Sequence, residues 1–260
     1  MNPTTFADLR ALASAFAADD WPHLLCPICG RGSLKAGKVN SVETARSREM
    51  HDHEAWEPDF IRGFFQVVLV CGGAECGEVV LASGEMTVGP VVSSSHDWTY
   101  SEFYLMRHLM PALVPIAFPE RTPNPVKDRV LEASRLLYFD ASAAGNRIRT
   151  AVEELLTHQK VPRTTSSSGK RRRLTAHHRI DRFRAKNSEA ANLLEAVKWI
   201  GNDASHEVAL SPLEVIDGLE LLEGALQLIY NDKTQRLTNL AKRINLRKTS
   251  VKPKPRSGRP

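Results

Sequence analysis

Four cysteines, all within residues 26–76, constrain this 260-residue chain more than any other feature. They fall as two close pairs, Cys26-x-x-Cys29 and Cys71-x4-Cys76, beside Gly30 and beside Gly72, Gly73 and Gly77. Two tight turns that each offer two thiolates are what a tetrahedral sulfur site needs, and glycine lets backbone amides point at sulfur. The pairing predicts a structural zinc held by Cys26, Cys29, Cys71 and Cys76, with every position filled. The alternative is four reduced thiols acting as plain core residues. "FFQVVLV" (64–70) and "EVVLA" (78–82) read as strands flanking a turn, which gives a small zinc-ribbon-like β region. The x4 spacing and the 41 residues between the pairs exceed the usual spacing, so residues 41–62 read as an insertion. His51-x-His53 within it reads as part of a solvated acidic loop, because no convergent partner is identifiable.

Around that region the chain divides by pattern. Residues 5–18 place Phe6, Leu9, Ala13 and Phe16 on one helical face. Residues 111–125 are proline-rich and cannot form one helix, so they read as an extended linker. Beyond it, Asn124–Pro125 opens a helix with Val126, Val130, Ala133 and Leu137 on one side. Further helices are predicted over 141–158, 175–184, 188–208 and 212–230, the last opened by a Ser211…Glu214 capping box. Between the second and third of these helices, residues 164–173 read as a polar, basic loop. The fold class is therefore α+β. An N-terminal helix (1–20) precedes a Cys-rich zinc-ribbon-like region (21–110). A linker (111–124), an all-α bundle (125–247) and a disordered basic tail (248–260) follow. No uncharged stretch approaches the ~18 residues of a membrane helix. No basic leader precedes an apolar run, so a cytoplasmic protein is the expectation.

The net charge of +5 conceals a segregation. Residues 160–186 carry ten Lys/Arg against Asp181 alone, and residues 233–260 carry ten with no acid. The rest of the chain is strongly acidic. Two concentrated basic tracts attract polyanions with a steep salt dependence, which nominates Lys170, Arg171, Arg172, Arg173, Lys242 and Arg243 as contacts to RNA or DNA. The competing reading is a pair of solvated segments that only keep the protein soluble.

The stretch "LLEAVKWIGNDASHEVALSP" (193–212) places Lys198, Asn202 and His206 four residues apart, a polar stripe if the segment is helical throughout. Leu194, Val197 and Ile200 then lie opposite. With "RIRTAVEELL" (147–156) and "LTAHHRIDRF" (174–183) in the same order, it resembles the bacterial domain of unknown function 4145. That family often carries Cys pairs ahead of its helical part. It is similar to the HEPN class of helical nucleic-acid-associated domains, many of them metal-independent ribonucleases that pair an Arg with a His across a dimer. The resemblance implies a HEPN-like bundle, a homodimer, and a bacterial defence or restriction-type setting. It places His206 as proton carrier near its own pKa, beside Asn202. Gly201 stands where the Arg belongs. The nearest cations are Lys198, one turn back and without a bidentate fork, and Arg149 on a neighbouring helix.

Three functions follow as expectations. The first is a nucleic-acid-binding or accessory module with a structural zinc. The second is a ribonuclease built on His206 and Asn202. The third is a protein-interaction domain in which the basic tracts are incidental.

Overall fold

The strand Arg62–Cys71 organises the N-terminal half. Its side chains alternate without a break: Gly63, Phe65, Val67, Leu69 and Cys71 point inward, while Phe64, Gln66, Val68 and Val70 point out. Period-2 alternation of this kind builds a sheet with one face on the core and one open. The computed structural model describes residues 2–92, 98–167, 170–203, 209–230, 237 and 240–246, with backbone only for 167, 170 and 201–203.

In chain order the elements begin with α1 (Phe6–Leu12), β1 (Phe16–Ala17), β2 (Leu34–Ala36), β3 (Asn40–Glu43) and α2 (Ala45–Glu49). After two 3₁₀ turns come β4 (Arg62–Cys71), β5 (Val79–Val92) and β6 (Trp98–Met110). The sheet is antiparallel with order β1-β6-β5-β4-β2, and β3 also pairs with β4. It curls, and the register slips at Ser83/Gly84 in the long β5–β6 hairpin. Inward-facing Phe65 and Tyr104 sit 4.6 Å apart between ring centroids, with Trp21 and Phe16 stacked edge-on against them.

The second half is helical: α3 (Asn124–Leu136), α4 (Ala141–His158), α5 (Ala176–Arg184), α6 (Ser188–Asp203) and α7 (Pro212–Tyr230), with a hairpin β7 (Thr164–Ser167) and β8 (Lys170–Arg173) between α4 and α5. Helix α3 starts at Asn124 with Pro123 at its cap position and no side-chain cap, while side chains close the orphan amides at the starts of α4 to α7. Asp140 accepts from the Ala143 amide, Thr175 from His178, Asn187 from Ala190 and Ser211 from Glu214. Glu214 reaches back to the Ser211 amide at 2.8 Å, and that bond holds its carboxyl below the usual range.

The two halves share one buried cluster. Helix α1 is the bridge: Leu9 and Leu12 are fully buried, the Tyr138 hydroxyl donates to the Leu9 carbonyl at 3.0 Å, and Arg10 contacts Asp217 and Glu220 of α7, each at 2.7 Å. Residues 111–123 are extended and irregular. They pack rather than dangle, with Leu113 and Ile116 buried, the Leu113 carbonyl accepting from Ser134, and the Ala117 amide donating to Glu223.

Three sequence expectations change. The first helix ends at Leu12 instead of running to residue 18, because Phe16 joins the sheet edge opposite Tyr104 as β1. Residues 41–62 are no detached insertion: β3 adds to the sheet, and the Ser47 hydroxyl ties the excursion to β4 by accepting from the Arg62 amide at 3.0 Å. The basic residues 164–173 form the β7–β8 hairpin, pairing Thr164 with Arg173 and Ser167 with Lys170, where a loop was expected. Residues 248–260 lie outside the described residues.

The bridge is testable. Leu9→Ala should lower the unfolding free energy of the whole chain by about 2–5 kcal/mol, and Tyr138→Phe by about 1 kcal/mol, both in a single urea transition. Separate transitions for sheet and helices, with only one displaced by Leu9→Ala, would show that α1 does not couple them.

Candidate metal centre and nucleic-acid interface

Cys26 and Cys29 lie on the turn that leads into β2. Cys71 ends β4, and Cys76 lies in the turn from β4 to β5. Two local features shape these turns. Gly30 and Gly77 adopt φ of 63° and 60°, a left-handed conformation that side chains resist. Ladder bonds then close each turn: Cys26 donates to the Gly32 carbonyl and Gly30 to Cys26, while Cys71 donates to Glu78 and Cys76 to Gly73. The turns meet because β2 pairs with β4, Leu34 opposite Cys71, and the Gly72 amide donates to the Ser33 carbonyl.

The four sulfurs lie within 4.8 Å of one another. Cys26 and Cys76 are 3.9 Å apart, and Cys29 and Cys71 3.7 Å. A disulfide is about 2.05 Å long, so these are not disulfides. A tetrahedral cation with sulfur bonds of about 2.3 Å would set sulfurs about 3.8 Å apart along each edge. The spacing fits a metal ion. Amides also converge on the sulfurs, Gly32 on Cys29 at 3.3 Å and Gly73 on Cys71 at 3.4 Å. A Cβ on Gly32 would lie 2.3 Å from the Cys71 sulfur, so the cluster requires glycine there.

Electrostatics agree. The Gly32 amide pulls the Cys29 thiol down to about 6. At Cys71 the Gly73 amide works in the same direction, but burial and the neighbouring thiols outweigh it and push that thiol up to about 12. Thiolates this close repel, and a divalent cation is what lets all four ionise. Cys26, Cys29, Cys71 and Cys76 can thus hold a metal ion. His51 instead contacts Glu43 at 2.9 Å and stacks on Trp56, and the cysteine cluster is the one His/Cys/Asp/Glu grouping of metal-binding geometry among the described residues.

The basic tract is displayed on the β7–β8 hairpin. Arg171, Arg172 and Arg173 are all exposed, while the side chain of Lys170 is outside the described set. Arg171 donates across the hairpin to Thr164 at 3.1 Å, Arg173 lies 3.6 Å from Glu153 of α4, and Arg182 of α5 reaches Thr165. The ribbon therefore lies against α4 and α5, with Arg163 at its root. Lys242 and Arg243 are exposed on the helical segment 240–246.

The residues of the Asn–His element are placed in part. His206 lies outside the described residues, and for Asn202 only the helical backbone of α6 is described. Lys198 departs from the polar stripe expected of it. It is 3% exposed, because it follows Ala191 and Leu194 along the core face of α6, with its ammonium 3.3 Å from the Trp199 ring centroid. Arg149 lies 4.0 Å from Glu153 along α4. The sequence reading also missed Arg179. It sits at a core position of α5, and its place among the buried Ala176, Ile180 and Phe183 was the available signal.

No helix among the described residues is long and apolar enough to cross a membrane. No curated protein and no solved structure matches the chain. Residues 14–108, which hold the sheet and all four cysteines, match a domain of unknown function (DUF8608), which the sequence reading had not identified. The helical half, residues 131–247, matches the domain of unknown function (DUF4145), the family whose resemblance its motifs carry.

Proposed function

We propose that this protein is a nucleic-acid-binding accessory module, in which a structural zinc ion ties the sheet's turns together and the β7–β8 hairpin docks on phosphates. The observation that carries the reading is the display of Arg171, Arg172 and Arg173 on one short ribbon, each exposed, with Arg163 and Arg182 beside them. Among the described residues only Arg173 of the three has a carboxylate nearby, at 3.6 Å, and its side chain is 83% exposed. Guanidinium forks suit phosphate oxygens, and a two-stranded ribbon is narrow enough to follow a groove or a single strand. Such contacts carry affinity without sequence readout. Lys242 and Arg243 are further exposed cations outside the hairpin.

Zinc is the reading for the cysteine cluster because four thiolates with no carboxylate or open position make a closed, redox-silent site. When bound, the ion supplies cross-linking rather than chemistry. It joins the turn before β2 to both ends of the β4–β5 connection.

Two measurements follow. Elemental analysis of the purified chain should give one zinc per chain, lost in Cys71→Ser, with four thiols becoming titratable after chelation. The ion should also dissociate as pH falls, since protons compete for the thiolates. A zinc-replete preparation without metal would refute the centre. For the hairpin, titration of a fluorescent oligonucleotide at several salt concentrations should give a steep linear fall of log affinity with log salt. Arg171→Ala/Arg172→Ala should reduce that slope by about two. Affinity independent of salt, or a double variant that binds like the parent, would remove the nucleic-acid reading.

A further inference from the structure

Arg179 occupies a position where α5 otherwise buries apolar side chains, and it is 3% exposed. Among the described residues all its hydrogen bonds go to neutral acceptors. One terminal nitrogen donates to the Glu153 carbonyl at 3.1 Å. The other donates to the Thr157 hydroxyl at 2.9 Å and the Val161 carbonyl at 3.3 Å. The third donor, Nε, is buried with no acceptor. Burying a cation without an opposite charge in contact is costly, and an orphaned donor adds to the cost. Burial, and after it the like charge of Arg163, lowers the pKa of Arg179, and the carboxylates of Glu153 and Glu154, near but not in contact with it, only partly oppose that shift.

Over this guanidinium opens a cleft of about 370 Å³, walled by Thr150, Glu153 and Glu154 of α4, by Arg163 at the root of the hairpin and by Arg173 of β8. Glu154 holds Arg163 at 3.2 Å and Glu153 holds Arg173 at 3.6 Å. Those two arginines are 58% and 83% exposed, so their arms can turn inward. Three guanidiniums against two carboxylates leave the cleft one positive charge in excess, and the buried member of the three is the one without a carboxylate partner.

We propose that this cleft is a binding site for a phosphate group, with Arg179 as its fixed floor and Arg163 and Arg173 as arms that close over it. The inference deepens the nucleic-acid reading above and depends on it only for the source of the phosphate. Three guanidiniums arriving from a loop, a strand and a helix surround a tetrahedral oxyanion, whereas a planar carboxylate is satisfied by one fork. Phosphate supplies the negative group in contact that Arg179 lacks among the described residues.

The test uses the full chain with inorganic phosphate, by isothermal titration and thermal unfolding at constant ionic strength against chloride. Phosphate should bind saturably and raise the melting temperature beyond chloride. Arg163→Ala/Arg173→Ala, both exposed positions, should weaken phosphate binding at least tenfold without loss of folding. Arg179→Lys should weaken it too; if that variant fails to fold, the surface double variant still decides. A phosphate response equal to chloride, or unchanged in the double variant, overturns the proposal. A 5′-phosphorylated oligonucleotide that binds more tightly than its 5′-hydroxyl counterpart would identify a strand end as the source. Equal binding of the two, with phosphate still saturable, would identify a free phosphate or nucleotide. Oligonucleotide binding that persists while phosphate fails sinks the cleft and leaves the hairpin reading intact. Phosphate binding that persists while oligonucleotide affinity ignores Arg171→Ala/Arg172→Ala does the reverse.

Discussion

The register of β4 is the constraint on which the N-terminal half depends. The same inward face that supplies Phe65, Val67 and Leu69 to the core ends in Cys71, whose sulfur meets that of Cys29 at 3.7 Å. A slip of one residue would turn that whole face to solvent and withdraw Cys71 from the cluster together. Core packing and the sulfur cluster therefore specify one pairing. Gly32 completes the fit, since the backbone of one turn passes within van der Waals reach of the other turn's sulfur. The cluster is a continuation of the sheet's interior, not an appendage to it.

Bridging is the second consequence. A curled sheet with a single covered face needs something to cover it, and here the chain's own start and its proline-rich middle take that place. Helix α1 pairs with α7 through Arg10 and leads directly into β1 at the sheet edge, and Leu113 and Ile116 join the same buried cluster. Neither could be assigned that role from sequence, because a short amphipathic helix and an extended apolar run reveal that they bury a face and not which partner they bury it against. What local pattern decides was legible: the cysteine turns, the core strand, the helix near Thr175, and the helix opened by Ser211 with its cap; the cap read at Asn124 was not made. Strand β6 was not, because Trp98–Met110 mixes aromatic, charged and apolar residues on a strand whose inner face is only partly buried. The β7–β8 hairpin was hidden for a related reason. Its serines, threonines and arginines have no apolar alternation, and its order comes from side-chain bonds to α4 and α5.

Glu153 shows how that ordering is achieved. Its carboxylate serves Arg149 on its own helix and Arg173 on the hairpin, while its backbone carbonyl accepts from Arg179 on α5. One residue of α4 thus touches three arginines from three elements. Exposed ion pairs are worth little individually, so their role here is positional: they keep long basic side chains near α4 and limit how far the hairpin can move. The functional reading of the helical half moves with this geometry. Arg149, nominated as a reacting-site cation, is one spoke of the Glu153 hub, and Lys198 lies on the core side of α6.

The charge segregation acquires a physical sense from the same hub. An isolated run of four cations would repel itself and remain extended, and here the run is folded back on a helix that carries Glu153 and Glu154 in succession. Those two carboxylates are enough to retain Arg163 and Arg173, and they leave Arg171 and Arg172 facing solvent without a carboxylate in contact among the described residues. The Glu153–Glu154 pair under a basic ribbon therefore divides the arginines into two sets. One set is held at the cleft above Arg179 and can be released by an anion that outcompetes a carboxylate. The other is left free for a longer polyanion.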